Sequence, residues 1–431
     1  MEGLTIGHTM PSAISDQPSA MTARARLRRG ASLWLPAGRP RRRYPTFEGR
    51  RDADVAIIGG GMTGAVAALE FAAAGASVVL LEAELVGRGS TSASSALLLQ
   101  EPDMSIAQLA TRYGRAAARR IWRLSHDAVR DFVAMLRRRR IPCDLEARDA
   151  VYYATHAESA RRLRAEFDDR ARVGFHGDWL TPGALRDLTA LPARGAIRTS
   201  GNAQFNPYKA CVGVLEAARS AGAGIFERSA AVRIAGADDR VRIRTARGRL
   251  EARRVVIATG YATERFRPLA GSFRTYDTYV LATPPLGRAD RRELGLGDVM
   301  IWDTERPYHY ARWTRDHRLL LGGGDRPVGV RRRSARFAAA ARELRADFEA
   351  LLPALADIGI EHAWEGLFAT TPDSLPYVGP HRRYPGHLFA LGYGGNGMTF
   401  GFLAARMLVE ECRGVRSADH DLFSFARLRH R

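Results

Sequence analysis

The sequence has little cysteine and almost no lysine, and it lacks long apolar runs. Three scattered cysteines among 431 residues form no CxxC pair and no metal-ligand spacing, which argues against a disulfide scaffold or a zinc module. No apolar stretch approaches the roughly 20 residues that span a bilayer, and the first residues contain no apolar core of a secretory signal. We therefore expect a cytoplasmic protein with reduced cysteines, no membrane span and no metal site.

The charge of the chain is strongly positive and comes almost entirely from arginine. Lys209 is the single lysine, so 65 of the 66 basic residues are arginine, and the net charge is +20. The arginines are spread along the whole length, which is typical of solvated surface and helix ends. No aromatic-interleaved motif for single-stranded nucleic acid accompanies them. We expect no nucleic-acid partner, although RNA binding stays open as an alternative function.

The most informative segment is DVAIIGGGMTGAVAALEFAAAGASVVLLEAE, residues 54–84. An apolar strand leads into Gly59-x-Gly61-x-x-Gly64, a helical pattern follows, and a second apolar run ends at Glu82. Gly59 permits a tight turn, Gly61 lets a pyrophosphate approach the helix N-terminus, and Gly64 lets helix and strand pack closely. Glu82 is placed where a carboxylate binds ribose hydroxyls. The segment predicts a dinucleotide site.

Two further loops have compositions that suit a cofactor. Residues 86–100, VGRGSTSASSALLLQ, offer hydroxyls for phosphates or a flat ring, although an ordinary capped helix start fits equally well. Near the C-terminus, an apolar strand leads into GYGGNGM, residues 392–398, and then a helix. The positive N-terminus of that helix would stabilise a reduced flavin, which favours FAD over NAD. The alternative is a structural glycine turn.

Other segments predict a layered α/β chain. Residues 232–234 and 241–245 alternate as an antiparallel hairpin, and VVIATG at 255–260 reads as a buried strand. Residues 275–330 are rich in strands and predict a separate sheet. Residues 104–140 and 334–355 carry helical patterns.

Together these motifs resemble the D-amino-acid-oxidase-like superfamily of FAD-dependent oxidoreductases, which includes glycine oxidase, sarcosine oxidase and γ-glutamylputrescine oxidoreductase. The resemblance covers roughly residues 31–412. The matching pieces, in order, are DVAIIGGGMTG with Glu82, GRGSTSASSALL, VVIATG, YHYARW with LLLGGGD, WEGLFATTPDSLPYVG and GYGGNGMTFG. Their order and spacing make the resemblance specific to the family.

The resemblance implies an α/β fold with a Rossmann-like FAD-binding domain of the GR2 type, interleaved with a mixed-sheet α+β substrate domain. We assign residues 31–105, 206–272 and 364–415 to the FAD-binding domain. Residues 106–205 and 273–363 are assigned to the substrate domain. Residues 1–30 are expected to be a disordered basic extension, and residues 416–431 a C-terminal tail.

The resemblance also implies roles for particular residues around a non-covalently bound FAD. Gly59, Gly61, Gly64 and Glu82 would hold the ADP half, Val232 would meet the adenine through its backbone, and Gly260 would close the ribose side. The pyrophosphate and flavin would be lined by Ser90, Thr91, Ser94 and Ser95. The flavin pyrimidine would face Gly395, Asn396, Gly397 and Met398.

The chemistry implied is oxidation of the C–N bond of an amine or amino acid, by hydride transfer to flavin N5. The imine would hydrolyse, and O2 would reoxidise the flavin. A dehydrogenase with a protein or quinone acceptor is the alternative enzyme. Period-2 alternation places Tyr308, Tyr310 and Arg312 on one face of a strand, where the arginine would hold a substrate carboxylate. An ordinary surface strand explains the same pattern.

Overall fold

The computed structural model describes residues 28–36, 43–237, 240–328 and 333–427, in which β-branched and aromatic runs form twenty strands. In chain order the strands are β1 Arg28–Gly30, β2 Gly49–Ile58, β3 Val78–Leu81, β4 Leu97–Leu98, β5 Glu146–Ala147, β6 Ala150–Ala154, β7 Asp178–Leu180, β8 Gly195–Thr199, β9 Ala203–Gln204, β10 Gly224–Phe226, β11 Arg233–Ala237, β12 Arg240–Arg244, β13 Gly248–Gly260, β14 Arg274–Ala282, β15 Met300–Asp303, β16 His309–Trp313, β17 Leu319–Pro327, β18 His362–Thr370, β19 Tyr377–His381 and β20 Tyr384–Leu391.

The same ranges contain twelve α-helices, several of which begin at the capping residues that the sequence offers. Asn206 accepts hydrogen bonds from the backbone N–H groups of Tyr208 and Lys209 and so starts one of them. The helices are α1 Met62–Ala73, α2 Ser90–Ala93, α3 Ile106–Tyr113, α4 Arg115–Arg138, α5 Ala157–Arg172, α6 Pro182–Thr189, α7 Pro207–Ser220, α8 Arg267–Ala270, α9 Arg288–Leu294, α10 Arg333–Leu351, α11 Gly397–Cys412 and α12 Ala418–Phe423.

An eight-stranded sheet holds the predicted dinucleotide unit. Its strands follow the order β10-β3-β2-β13-β12-β11, and β20 pairs with β13 and with β19. β10, β3, β2, β13 and β20 are parallel, which places the carboxyl ends of β2, β13 and β20 at one edge. The predicted hairpin is present as β11 and β12. Because α1 connects β2 and β3 and α11 follows β20, helix N-termini meet at that edge.

A nine-stranded sheet forms the second layer, in the order β1-β18-β14-β17-β16-β15-β6-β8-β7. Its pairs are antiparallel except for β15 with β6. One face is covered by apolar residues of α10, including Leu344 and Phe348. The separate sheet predicted for residues 275–330 is confirmed in this layer. A small third sheet, β4-β9-β5, lies beside it.

Helices α3 and α4 do not follow the predicted division of the chain into two domains. Residues 106–205 were assigned to the substrate domain, but α3 and α4 share one apolar core with α1, α7 and α11. Phe132 of α4 stacks on Phe402 of α11 with ring centroids 4.9 Å apart. α3 and α4 therefore pack with the helices of the nucleotide unit, since α4 contacts α11 directly.

The two ends of the described chain are also more ordered than the sequence predicts. Disorder was expected for residues 1–30, but Arg28–Gly30 pairs with β18; residues 1–27 lie outside the described part. β18 belongs to the nine-stranded sheet, so the predicted boundary at residue 364 falls inside a strand. The expected tail contains α12, and Arg427 beyond it forms a buried ion pair with Asp373.

The described residues contain neither a membrane-spanning helix nor a cluster of metal ligands. None of the helices there combines the length and the apolar character needed to cross a bilayer. Within the same ranges, no group of three or more His, Cys, Asp or Glu side chains is arranged to hold a metal ion. Cys143, Cys211 and Cys412 are free thiols.

Candidate active site

A cavity of about 1000 Å³ is lined by both large sheets. It reaches from the glycine turn after β2, past α2, to the loop before α11 and to the side chains of β16 and β17. The carboxyl edge of the parallel strands therefore forms one part of its wall, which is where open α/β sheets bind ligands. Strands of the second sheet form the opposite part.

The glycine turn has the geometry that the sequence predicts. Gly59 has φ +114°, and a Cβ there would lie 2.5 Å from the carbonyl oxygen of Ala258. A Cβ on Gly64 would overlap the carbonyl oxygen of Gly59, so only glycine lets α1 pack so close to the turn. Gly59 and Gly61 line the cavity, and Gly61 caps α1. Gly64 has a packing role behind them.

Glu82 lies where β3 ends and lines the cavity. Its Oε2 accepts a hydrogen bond of 2.7 Å from the Gly60 N–H, and its Oε1 accepts one of 2.8 Å from the Glu84 N–H. Burial raises the pKa of Glu82, and the carboxylates of Glu84 and Glu227 raise it further. The two N–H groups fix the carboxylate in one orientation beside the glycine turn.

The serine-rich loop folds into the short helix α2 against the opposite sheet. Ser90, Thr91, Ser94 and Ser95 all line the cavity, as predicted. The Thr91 hydroxyl accepts a hydrogen bond of 2.9 Å from the Met62 N–H at the start of α1, and Ser90 donates to the Leu367 carbonyl oxygen. The loop therefore joins the glycine turn at the start of α1 to β18.

Of the two residues predicted for the adenine and ribose side, one lines the cavity and the other does not. Gly260 lines the cavity together with its neighbours Thr259 and Tyr261. Val232 does not: it is 47% exposed, and its N–H donates to the Arg244 carbonyl oxygen at 2.7 Å. Ala231 lines the cavity in its place, because pairing with β12 turns the backbone of Val232 away.

The C-terminal glycine loop is held by an acid that the sequence analysis did not single out. Gly395, Asn396, Gly397 and Met398 line the cavity as predicted. Asp103 accepts hydrogen bonds from the Gly395 N–H at 2.8 Å and from Asn396 Nδ2 at 2.7 Å. Its side chain faces the cavity, and burial raises the pKa of Asp103 to about 6 against the lowering effects of the Gly395 N–H and of Arg306.

The aromatic strand contributes two of its three predicted residues. Tyr308 and Tyr310 line the cavity, and their ring centroids are 6.1 Å apart. Arg312 does not line it; its buried guanidinium donates to the carbonyl oxygens of Ser95, Phe205 and Trp313. Burial lowers the pKa of Arg312 to about 9. The predicted carboxylate-binding role is therefore corrected: Arg312 ties three backbone segments together.

Further polar side chains line the cavity without having been predicted. Asp325, at the end of the motif LLLGGGD, lines it from β17. Arg170 of α5 is paired with Glu166 at 3.0 Å and with Glu101 at 3.4 Å, and all three line the cavity. Asp325 had a sequence signal, since it closes a family motif. The ion-pair cluster had none, because Glu101 lies 69 residues from Arg170 in the chain.

These features fit an adenine dinucleotide with a flavin end. The turn offers glycines without side chains, a helix N-terminus and a carboxylate held by backbone N–H groups. The sequence profile of the family described as FAD dependent oxidoreductase (DAO) matches residues 54–411. The chain belongs to this family. It is an FAD-dependent oxidoreductase, and the residues described above would hold the cofactor.

Known relatives agree with this assignment. γ-Glutamylputrescine oxidoreductase of Escherichia coli K12 is 28% identical over 392 residues, which cover 90% of this chain and 89% of the relative. Glycine oxidase from Geobacillus kaustophilus has a solved structure that is similar with a TM-score of 0.73 at 24% identity, covering 85% of this chain and 96% of that one. L-Proline dehydrogenase from P. horikoshii is similar with a TM-score of 0.72 at 18% identity, covering 89% and 99%. Both structures share the mixed α/β fold.

Proposed function

We propose that this oxidoreductase oxidises the C–N bond of an amine. The observation that carries the proposal is that one cavity joins the dinucleotide turn to the two tyrosines of β16. The relatives named γ-glutamylputrescine oxidoreductase and glycine oxidase support a nitrogen-bearing substrate. When bound, FAD supplies an acceptor for a hydride.

The protein's own part in the reaction is positioning. Tyr308 and Tyr310 form an aromatic wall that would orient the substrate carbon bearing the reacting hydrogen. Bound FAD would accept the hydrogen of the substrate Cα–H bond together with its electron pair. The neutral amine thereby becomes an iminium, which adds water and releases a carbonyl compound and ammonia or an amine.

The electron acceptor that we propose is O2, which takes up two electrons and two protons to give H2O2. An acceptor protein or quinone is the second candidate, and the fold likeness to an enzyme named L-proline dehydrogenase is compatible with it. We further propose non-covalent FAD: among the described residues that line the cavity there is no histidine or cysteine. The free thiols support the predicted cytoplasmic location.

The first experiment is an absorbance spectrum of the purified protein before and after acid precipitation. Flavin absorbance that moves to the supernatant is expected, and a yellow pellet would contradict non-covalent binding. The holoenzyme is then mixed without oxygen with a panel of amines and amino acids, with free FAD as the control. Bleaching of the protein-bound flavin alone, followed by oxygen uptake in air, supports the proposal. Bleaching without oxygen uptake favours the dehydrogenase, and no bleaching rejects amine oxidation.

A further inference from the structure

The cavity is acidic although the chain is strongly basic. The chain carries a net charge of +20, yet six carboxyl side chains and only four guanidinium groups line the cavity. The carboxyl side chains are Glu82, Glu101, Asp103, Glu166, Asp169 and Asp325. Glu82 belongs to the proposed cofactor end. Three of the other acids are paired with arginines: Glu101 and Glu166 with Arg170, and Asp169 with Arg172. Asp103 and Asp325 remain.

Two of these carboxyls, Asp103 and Asp325, lie at the end of the cavity that the nine-stranded sheet forms. Asp325 is half-buried, and its Oδ1 is shielded from solvent without a hydrogen-bond partner among the described residues. Burial raises the pKa of Asp325 to about 6, and the negative charge of Asp103 raises it further. The two carboxylates are therefore close enough to repel each other. A buried carboxylate oxygen without a donor is costly unless a ligand supplies one.

Aromatic side chains surround this acidic end. The Tyr308 hydroxyl lies beside the same glycine as Asp103: a Cβ on Gly395 would be 2.6 Å from that hydroxyl and 3.1 Å from Asp103 Oδ1. Tyr152 and Trp302, stacked with ring centroids 5.1 Å apart, also line the cavity. Carboxylates combined with aromatic faces are the surroundings that bind ammonium ions.

The nearby guanidinium groups do not reverse this charge. Arg306 lies over the Tyr308 ring at 5.7 Å, and its charge acts on Asp103 and Asp325 together. Arg170 is paired with two glutamates and lies over Trp122 at 4.7 Å. Arg312, predicted to hold a substrate carboxylate, bonds to backbone carbonyls instead.

We propose that Asp103 and Asp325, with Tyr308, bind the ammonium group of the substrate that does not react. Because the reacting nitrogen is a neutral amine, the substrate class is then diamines without a carboxylate next to the reacting carbon, in preference to α-amino acids. This inference rests on the proposed amine oxidation and names its substrate class. Asp103 also holds the Gly395 loop. We therefore assign the preference for a cationic substrate to Asp325.

Binding is tested with two probes of the same shape and opposite charge. tert-Butylammonium has no hydrogen on the carbon next to nitrogen, so it cannot be oxidised, and pivalate replaces its ammonium by a carboxylate. Calorimetric titration of the holoenzyme is expected to give at least roughly tenfold tighter binding of tert-butylammonium. Tighter binding of pivalate, or equal binding, would overturn the inference.

Asp325→Asn then tests the residue itself. We expect this variant to keep its flavin spectrum and to bind tert-butylammonium roughly 10- to 100-fold more weakly. Asp357→Asn, the same change on an exposed carboxylate outside the cavity lining, is the control and should bind normally. Unchanged binding of tert-butylammonium by Asp325→Asn would overturn the cation site. A variant that loses only kcat while it binds the probe normally would overturn it as well.

The two proposals fail in different ways. A flavin that is bleached by α-amino acids but not by diamines rejects the substrate class and leaves C–N oxidation standing. A flavin that none of these compounds bleaches rejects the proposed function. A flavin bleached by 1,4-diaminobutane but not by glycine supports both.

Discussion

At the scale of single residues, backbone N–H groups hold one carboxylate in place at each end of the cavity. Glu82 is oriented by Gly60 and Glu84, and Asp103 by Gly395. Burial raises the pKa of both acids, so each depends on its donors to stay charged. Replacing such a side chain therefore removes a ligand contact and also releases the adjoining loop.

Glu82→Arg is expected to abolish retention of FAD. A guanidinium cannot accept the hydrogen bonds of the Gly60 and Glu84 N–H groups, nor those of ribose hydroxyls, so affinity should fall by about 100-fold or more. The visible flavin absorbance of the purified variant measures this. Glu84→Arg, on the exposed neighbour, is the control and should stay yellow. A yellow Glu82→Arg variant would remove Glu82 from the cofactor site.

Binding of tert-butylammonium should weaken as the pH falls through about 6. Asp103 and Asp325, whose pKa values burial raises to about 6, are charged above that pH and neutral below it, while the probe stays cationic. The Asp303 carboxylate raises the pKa of His309 against the lowering effect of burial, so His309 also gains positive charge as the pH falls, which weakens cation binding further. Calorimetry at about pH 7 and pH 5 should show roughly a tenfold loss. A flat profile would contradict the assignment.

At the scale of elements, the segment after α11 is anchored to the turn between β18 and β19. Arg427 donates to Asp373 through Nε at 2.7 Å and Nη2 at 2.9 Å, and both side chains are almost fully buried. Burial opposes ionisation, but the hydrogen bonds and charge of Arg427 lower the pKa of Asp373 to about 2. Tyr113 of α3 donates to the same carboxylate. One acid therefore connects three elements.

Arg427→Ala is expected to lower the free energy of unfolding by about 3–5 kcal/mol, because it leaves Asp373 buried without its cation. Urea unfolding measures the change. Arg416→Ala removes a half-exposed partner of Asp421 and should cost at most about 1 kcal/mol. Since the folded pKa of Asp373 is lowered, its contribution is present above about pH 4 and is lost as the pH falls towards 2. Equal effects of the two substitutions would contradict the anchoring role.

At the scale of the whole molecule, the cavity is shared by two sheets, so a ligand that fills it bridges them. β2, β13 and the loop after β20 supply one wall, and β16, β17 and β18 the other. α2 crosses between them through the Ser90 bond to Leu367. Cofactor binding is therefore expected to stabilise both layers.

Removal of FAD should lower the melting temperature of the chain. A ligand at about 100 times its Kd adds about 2.7 kcal/mol of stability, which corresponds to a shift of a few degrees. Scanning calorimetry of the apoprotein with added FAD measures the recovery. FMN, which lacks the adenosine half that we propose to face Glu82 and Gly260, is the control and should restore less. Full recovery with FMN would contradict the assigned adenosine end.

Local features of the fold were predictable from the sequence alone. The strand, glycine turn and helix of residues 54–84 follow from steric limits at Gly59 and Gly64, which act within a few residues. Alternation of apolar residues likewise predicted β13 and the hairpin of β11 and β12. The family and the cofactor follow from such motifs in order, and most of the predicted site residues line the cavity.

What the tertiary structure alone decided is which side chains meet. Asp103 and Gly395 are 292 residues apart, and no periodicity relates them. Arg312 shares a strand face with Tyr310, but its guanidinium donates hydrogen bonds to nearby backbone carbonyl oxygens. It does so because the N–H donors of a buried guanidinium must find acceptors. The sequence by itself therefore determined the family, the cofactor turn and the strand patterns. Only packing between distant segments placed Asp103 and Asp325, and not the guanidinium of Arg312, at the end of the cavity formed by the nine-stranded sheet.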